Sequence, residues 1–209
     1  MTTNAGQNPR PGAETHNVAE QWEEQEFADA WVAKDDGRQD IRVPMVGSAV
    51  AAIPHEKDAA ISILDVGAGY GMVTMELFKA HPNANVTLQD ISEAMFVHAK
   101  ERLADKAGQT RFVIADFSKP TWVADLKGPF DVAISAIAIH NMYDDNMISS
   151  IYKDICGVLK PGATFINLDY AGQSGGIDAH IQWLKEGGFD SVDCTAATDR
   201  ISLLVAKKA

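Results

Sequence analysis

The chain of 209 residues has 29 acidic against 18 basic side chains, and its formal net charge is −11. Hydrophobic residues make up 46% and charged residues 22% of the sequence, ordinary values that exclude collagen-like and largely disordered chains. A surface this negative repels phosphate backbones, so we expect a small-molecule partner and not nucleic acid. There is no run of 18 apolar residues, so no membrane partner is expected either.

The first 56 residues differ in pattern from the remainder. Residues 1–17 contain no apolar run, so we predict a disordered lead-in without a signal peptide and expect a cytoplasmic protein. Helical spacing of apolar residues predicts one helix or two short ones over 18–34, and a further helix over 41–53. These segments carry Trp22, Phe27, Trp31 and Met45. We interpret residues 18–56 as a helical cap that covers a crevice; the alternative is that the aromatic side chains simply hold a helix against the sheet.

From residue 61 onward, short apolar runs alternate with helical patterns, which is typical of βαβ units and a parallel sheet. Two further strand-like runs, 191–196 and 201–206, lie too close together for a helical crossover and predict an antiparallel hairpin. The expected fold of residues 57–209 is therefore α/β: a doubly wound, mostly parallel seven-stranded Rossmann-like sheet that ends in this hairpin. The other predicted strands are 61–66, 85–90, 111–116, 130–137 and 163–170, and the predicted helices are 72–80, 92–106, 121–126, 145–159 and 177–186.

A glycine-rich loop, Asp65-Val66-Gly67-Ala68-Gly69-Tyr70-Gly71, follows the first predicted strand. Gly67 and Gly69 permit a tight turn and let the backbone approach a ligand closely. The dinucleotide fingerprint would need Gly or Ala at position 72, where this chain has Met72, and Asp65 would repel a pyrophosphate. A nucleoside ligand with a positive charge is favoured instead, because Asp65 could stabilise it through charge-assisted hydrogen bonds.

Two more carboxylates end the second and third predicted strands. In open α/β sheets the ligand crevice lies outside the carboxyl ends of the strands, so both should share an edge with the glycine-rich loop. Asp90 is placed to accept hydrogen bonds from ribose hydroxyls, and Asp116, beside the aromatic plane of Phe117, from an adenine amino group. The alternative for Asp90 is that it caps the next helix.

With these residues the chain resembles the class I S-adenosylmethionine-dependent methyltransferases over about residues 61–207. The likeness rests on the glycine-rich loop, on Gln89-Asp90-Ile91-Ser92-Glu93-Ala94-Met95, on Ala115-Asp116-Phe117, on Phe130-Asp131 and on Leu159-Lys160-Pro161-Gly162. The resemblance implies an enzyme that binds S-adenosyl-L-methionine and releases S-adenosyl-L-homocysteine. The cofactor-binding residues that it implies are Asp65, Gly67, Ala68, Gly69, Asp90, Ile91, Met95, Asp116, Phe117 and Ser135.

Within this reading, His140 is the candidate catalytic residue. It follows the fourth predicted strand, faces the same crevice and carries the side chain that titrates near neutral pH. The hypothesis is that it deprotonates or orients an oxygen or nitrogen nucleophile; the alternative is a histidine that lines the pocket or braces the loop. Substrate contacts are assigned to Trp31, His140 and Tyr170. No metal is expected, because only Asp169 lies where metal-dependent relatives place carboxylates, and it is interpreted as a loop-capping residue.

We therefore predict transfer of a methyl group to an oxygen, nitrogen or carbon atom of a small metabolite, by a monomer or homodimer. The fourth strand lacks the Asn/Asp-Pro-Pro-Tyr ending of relatives that methylate bases and glutamine side chains. One alternative is an RNA or protein methyltransferase, which would need a basic face. Another is a non-catalytic regulator that binds S-adenosylmethionine, and its expected mark, loss of Asp65 or Asp90, is not seen.

Overall fold

A computed structural model of the chain describes residues 18–196, 198 and 200–209, so the expected lead-in over 1–17 lies outside the described residues. Its centre is one sheet of seven strands: β1 Ser62–Val66, β2 Asn85–Asp90, β3 Thr110–Ile114, β4 Phe130–Ala136, β5 Leu159–Asp169, β6 Phe189–Ala196 and β7 Ser202–Lys208. Their order is β3-β2-β1-β4-β5-β7-β6. Strands β1 to β5 pair in parallel, while β7 is antiparallel to both β5 and β6. The predicted fold class, including the C-terminal hairpin, is confirmed.

Three helices precede the sheet and four alternate with its strands: α1 Val18–Glu23, α2 Gln25–Asp36, α3 Gln39–Val50, α4 Met72–Ala80, α5 Glu93–Arg102, α6 Asp145–Gly157 and α7 Ile177–Glu186. Of the two possibilities for 18–34, the structure has two short helices, because Glu24 adopts extended backbone angles between them. No helix in the described ranges is both long and apolar enough to cross a bilayer.

The strand order reverses between β1 and β4, since β2 and β3 lie on one side of β1 and β5 lies on the other side of β4. Crevices for ligands form at such a switch point, outside the carboxyl ends of the strands. The loop after β1 and the loop after β4 therefore meet there. The sequence pattern indicated the strands, and their order brings these two loops together.

Each face of the sheet carries its own apolar layer. Side chains from α2 to α5 pack on one face, and those from α6, α7 and the segment around Trp122 pack on the other. Large side chains without solvent exposure, such as Phe96 on the first face and Tyr152 on the second, lie at the centres of these layers. The sheet is thus covered on both faces, as a parallel sheet requires.

The helix expected over 121–126 is the one clear error in the predicted elements. The segment forms turns instead, in which the backbone N–H groups of Trp122, Ala124 and Leu126 each donate to the carbonyl three residues earlier. The Arg111 guanidinium donates to the backbone carbonyls of Asp125 and Leu126 at 2.5 and 2.8 Å. The indole N–H of Trp122 donates to Asp154 at 3.0 Å, which holds this turn against α6. Strand β5 also begins four residues earlier than expected, since Leu159 pairs with Phe130.

Helices α1 and α2 are fastened to α5 largely by polar contacts. The Ser92 hydroxyl, which caps α5, donates to a backbone carbonyl of α1, and two side-chain pairs join α2 to α5. The pairs are Asp29 with His98 at 2.7 Å and Asp36 with Arg102 at 2.6 Å. Both are partly solvent-exposed and are therefore individually weak.

Candidate functional site

A cavity of about 540 Å³ lies between the carboxyl ends of the strands and helices α1 to α3. Its size is typical of a site for a small molecule or cofactor. Each of the three segments singled out in the sequence contributes to its wall. Ten of the predicted site residues line it: Trp31, Gly67, Ala68, Gly69, Asp90, Ile91, Met95, Asp116, Phe117 and His140.

The glycine-rich loop turns sharply because three of its residues have left-handed backbone angles, with φ values of 67° at Gly67, 51° at Gly69 and 85° at Gly71. A Cβ atom at Gly67 would lie 2.4 Å from the Cβ of Ala138, in the loop after β4. A Cβ atom at Gly69 would meet nothing within 4 Å. Gly67 is thus required by packing between the two loops, whereas Gly69 leaves open space at the cavity wall.

Asp90 joins the end of β2 to the glycine-rich loop. One carboxylate oxygen accepts the backbone N–H of Gly69 at 2.7 Å, and the other accepts that of Ser92 at 2.9 Å. The helix cap itself is Ser92, whose hydroxyl accepts the N–H of Met95 at 3.0 Å, so capping is not the main task of Asp90. Burial raises the pKa of the Asp90 carboxyl, against the lowering effect of these backbone donors.

Asp116 and Phe117 form the wall beyond β3. The Asp116 carboxylate accepts the backbone N–H of Ser118 at 2.8 Å, which fixes one oxygen within the turn. The Phe117 ring is held edge-on against Trp122, with 6.2 Å between ring centroids. A carboxylate therefore stands beside an aromatic ring at the cavity, as the sequence predicted.

Three predicted site residues lie behind the cavity wall instead of lining it. The fully buried Asp65 accepts a hydrogen bond from the Thr74 hydroxyl at 2.7 Å through Oδ2, while its Oδ1 has no partner. The Ser135 hydroxyl, also fully buried, donates to the backbone carbonyl of Val66 at 2.9 Å. The Tyr170 ring packs edge-on against His140, with 5.0 Å between centroids. The assigned contacts of these three with a ligand stay predictions.

We expect Asp65→Asn to reduce the pH dependence of the stability of the ligand-free protein. Burial raises the pKa of the Asp65 carboxyl to about 7, although the Thr74 hydroxyl lowers it. The folded protein then holds a proton that the unfolded chain has lost, so the free energy of unfolding falls as pH rises from about 4 to 7. Between pH 5 and 7 this linkage amounts to about 2–3 kcal/mol, and the uncharged amide removes it.

Urea unfolding of both proteins at pH 5 and pH 8 measures this difference. The lowered pKa of buried His180 gives both proteins the same opposing trend, so it cancels from the comparison. Equal changes of unfolding free energy in wild type and Asp65→Asn would contradict the prediction.

His140 is held next to the end of β5. Asp169, 2% exposed, accepts the backbone N–H of His140 at 3.0 Å and that of Tyr170 at 2.9 Å. The buried Nδ1 of His140 lies 2.6 Å from Oδ1 of Asp169, close enough for an ion pair but not aligned as a hydrogen bond. Since His140 lines the cavity, Nε2 is the ring nitrogen left to face it. Asp169 thus caps the loop, as predicted, and also braces His140.

Sequence reasoning missed several residues that the structure brings to the site. Asp169 was recognised as a loop-capping residue but not as the partner of His140, although it ends a strand beside the one that precedes His140. Lys34, Asp35, Arg38 and Arg42 line the cavity, but they belong to the cap, which shows no motif. Within the described ranges, no group of three or more His, Cys, Asp or Glu side chains is arranged to hold a metal ion.

Comparisons with known proteins agree with this geometry. Residues 63–162 match the family model described as "Methyltransferase domain". The malonyl-[acyl-carrier protein] O-methyltransferase of Neorickettsia risticii is 32% identical over 108 residues, which cover 52% of this chain and 38% of that protein. The demethylmenaquinone methyltransferase of Leptospira interrogans is 32% identical over 122 residues, or 57% of this chain and 47% of that protein. The chain thus matches less than half the length of these two relatives.

The fold itself recurs in a solved O-methyltransferase family protein from Burkholderia thailandensis. The two structures superpose with a TM-score of 0.73 at 14% sequence identity, over 91% of this chain and 62% of that one. The family match covers β1 to the start of β5, which are the elements that build the glycine-rich loop and the cavity wall. Residues 63–162, just under half of the chain, are therefore similar to a methyltransferase domain, and the fold is the one seen in that solved structure.

Proposed function

We propose that the chain is an enzyme that uses S-adenosyl-L-methionine to methylate an oxygen, nitrogen or carbon atom of a small metabolite. The observation that carries this proposal is the cavity, in which the glycine-rich loop, Asp90 and the Asp116–Phe117 pair face a covering of helices α1 to α3. The net charge of −11 supports a small acceptor over a nucleic acid. The name of the first relative specifies an oxygen acceptor and that of the second specifies no acceptor atom, so together they do not identify the atom that this chain would methylate.

The residues present fit this cofactor. Gly69 leaves open space where a ligand can approach the backbone, and the Asp65 Oδ1 atom below the loop has no partner. Asp90 would hold the ribose hydroxyls, Asp116 the adenine amino group, and Ile91, Met95 and Phe117 the faces of the adenine ring. When bound, S-adenosylmethionine supplies a methyl group activated by a positively charged sulfur.

The protein's own contribution is orientation, exclusion of water and the handling of one proton. Orientation of two reactants can lower a barrier by as much as about 7–11 kcal/mol. Trp22 and Trp31 line the cavity from the cap and restrict its contact with water. His140 would accept the proton of an oxygen or nitrogen nucleophile through Nε2, while Asp169 holds the ring from the other side.

Two measurements test the proposal. Calorimetry with S-adenosylmethionine and S-adenosylhomocysteine reports on the cofactor site, and a screen of metabolites for formation of S-adenosylhomocysteine reports on turnover. Binding with turnover is expected. Absence of binding would contradict the cofactor assignment, and binding without turnover over a broad screen would favour a non-catalytic regulator.

Asp90→Ala should weaken cofactor binding by about 1–3 kcal/mol, because it leaves two ribose hydroxyls without their acceptor. The effect should depend on those hydroxyls. Wild type should therefore prefer adenosine over 2′,3′-dideoxyadenosine, and Asp90→Ala should lose most of this preference, as measured by calorimetry.

Asp105→Ala is the matched control. It removes an exposed carboxylate from the turn that follows α5, and the variant should bind the cofactor as wild type does. Thermal melting of Asp90→Ala monitors the loss of the carboxylate that accepts the backbone N–H groups of Gly69 and Ser92. A variant that remains folded and keeps the full preference for adenosine would show that Asp90 does not hold the ribose.

A further inference from the structure

In the cap, the basic side chains line the cavity and most of the acidic side chains do not. Residues 25–50, from the start of α2 to the end of α3, include five acidic and three basic side chains. All three basic residues line the cavity, but Asp35 is the only acidic one that does. The other acidic residues point elsewhere; Asp29 and Asp36, for example, pair with side chains of α5. A chain with a large negative charge thus presents cations to its cavity from the cap.

One of the three cations is neutralised and tied to the glycine-rich loop. Arg42 Nε donates to Asp35 at 2.9 Å, and the Tyr70 hydroxyl donates to the same carboxylate at 2.8 Å. Asp35 is 4% exposed. Burial, and after it the adjacent Asp35 carboxylate, raises the pKa of the Tyr70 hydroxyl. Arg42 is therefore fixed beside the loop, where the amino-acid end of the cofactor would lie.

The other two cations, Lys34 and Arg38, are exposed at the cavity mouth. Neither forms an ion pair with a carboxylate among the described side chains, which begin at residue 21. Lys34 lies in the last turn of α2 and Arg38 just before α3, four positions apart around the bend at Gly37. Trp31, one turn before Lys34, lines the same cavity. A lysine and an arginine are thus available next to an aromatic wall.

We propose that the methyl acceptor carries an anionic oxygen group, a carboxylate or a phosphate, which Lys34 and Arg38 bind at the mouth of the cavity. This inference rests on the proposed function, since it places the acceptor in the cavity shared with the cofactor. The carboxylates on the sheet side, Asp90 and Asp116, suit the cofactor and would repel such an acceptor, so its anionic group faces the cap. An arginine guanidinium can bind either group through two parallel hydrogen bonds.

The anionic oxygen group that Lys34 and Arg38 bind could belong to either of two molecules, the methyl acceptor or the cofactor, which has a carboxylate of its own. The structure favours the acceptor for Lys34 and Arg38, because Arg42 is the cation held at the glycine-rich loop by Asp35 and Tyr70. Its remaining guanidinium N–H groups are therefore the ones suited to the cofactor's carboxylate.

The test uses the double variant Lys34→Ala/Arg38→Ala with Lys57→Ala/Lys185→Ala as control. Both remove two positive charges, and the control side chains are exposed and outside the cavity. The probes are matched pairs: hydroxybenzoic acids with their amides, and short phosphate monoesters with their parent alcohols. Binding is measured by calorimetry with and without saturating S-adenosylhomocysteine, and turnover by release of S-adenosylhomocysteine from S-adenosylmethionine.

At least one acid should bind or react at least about tenfold better than its neutral partner in wild type and in the control. This preference should fall at least about fivefold in Lys34→Ala/Arg38→Ala and should weaken at high salt, because exposed charges are screened. The affinity for S-adenosylhomocysteine should stay within about twofold of wild type. No preference for anions in wild type, or a preference that the double variant retains, would overturn the proposal.

Two further outcomes identify other failures. If the double variant loses affinity for S-adenosylhomocysteine but not for methylthioadenosine, which lacks the amino-acid group, the two cations hold the cofactor and the proposal is wrong. If wild type binds neither S-adenosylmethionine nor S-adenosylhomocysteine, the proposed function fails. The binding preference without cofactor then still decides whether Lys34 and Arg38 bind anions.

Discussion

His140→Ala is expected to lower kcat by a factor of about 10²–10⁴ for an oxygen or nitrogen acceptor, the range typical of a removed general base. His140 lines the cavity with its Nδ1 atom buried 2.6 Å from Asp169, so Nε2 is available to an acceptor. The pH profile of kcat should also change in the variant, because the group proposed to accept the proton is removed.

The measurement is the rate of S-adenosylhomocysteine formation with an acceptor found by the turnover screen, at several pH values. His55→Ala, which removes a histidine in the loop between α3 and β1, is the matched control and should retain the rate and the pH profile. Cofactor affinity of His140→Ala should be that of wild type. Full turnover with an unchanged pH profile would assign His140 to the alternative role of bracing the loop.

Asp169 contacts His140 and does not line the cavity, so Asp169→Asn tests whether it positions His140 for the proposed reaction. The amide keeps the shape of the carboxylate but cannot stabilise an imidazolium, as the carboxylate does in base-assisted catalysis. In a purely structural role, Asp169 would affect thermal stability and leave the pH profile of kcat as it is. We expect a lower kcat with an altered profile and an unchanged affinity for S-adenosylhomocysteine.

The sequence was most informative where backbone geometry dictates residue type. Gly67 and Gly69 signalled the turn because few other residues tolerate its backbone angles, and Asp90 and Asp116 could be placed because parallel strands end at a common edge. Strand and helix patterns sufficed for the fold, since the sheet is covered on both faces and its strands are correspondingly apolar. A helix was wrongly predicted over 121–126; the last carbonyls of this segment accept from Arg111 of β3, a contact that a local sequence pattern cannot indicate.

The sequence could not predict how deeply a site side chain is buried, nor which charged side chains of the cap line the cavity. Asp65 has the position expected of a ligand-binding carboxylate, yet its side chain packs beneath the loop against Thr74. The apolar pattern around Lys34 and Arg38 indicates which face of each helix is buried. It does not indicate which charged side chains line a cavity formed with another part of the chain. Their position at the cavity follows only from the packing of α2 and α3 over the sheet edge.

That packing also joins the cofactor side of the cavity to the acceptor side. Tyr70 of the glycine-rich loop holds Asp35 of α2, and Asp35 holds Arg42 of α3. The glycine-rich loop is thereby connected to both helices of the cap that contribute cations to the cavity. The two loops after β1 and after β4 approach each other closely at Gly67, where there is no room for a Cβ atom.

Gly67→Ala should destabilise the protein by about 2–5 kcal/mol. The new Cβ would lie 2.4 Å from the Cβ of Ala138, and overpacking of this kind costs about 1–3 kcal/mol. The left-handed angle at Gly67, with φ of 67°, adds about 1–2 kcal/mol for any residue with a side chain. Urea unfolding measures the sum, and Gly67→Ala/Ala138→Gly should recover only the overpacking part, because it removes the opposing methyl group.

Gly69→Ala is the matched comparison, since its new Cβ meets nothing within 4 Å and only the left-handed angle is penalised. Its stability should fall by about 1–2 kcal/mol. Its affinity for S-adenosylhomocysteine should fall more sharply, since the methyl group would project into space that the proposal gives to the cofactor. Equal stability losses in Gly67→Ala and Gly69→Ala, or no recovery on adding Ala138→Gly, would mean that the two loops do not press on each other at Gly67. Unchanged cofactor affinity in Gly69→Ala would mean that the open space beside the loop is not where the cofactor binds.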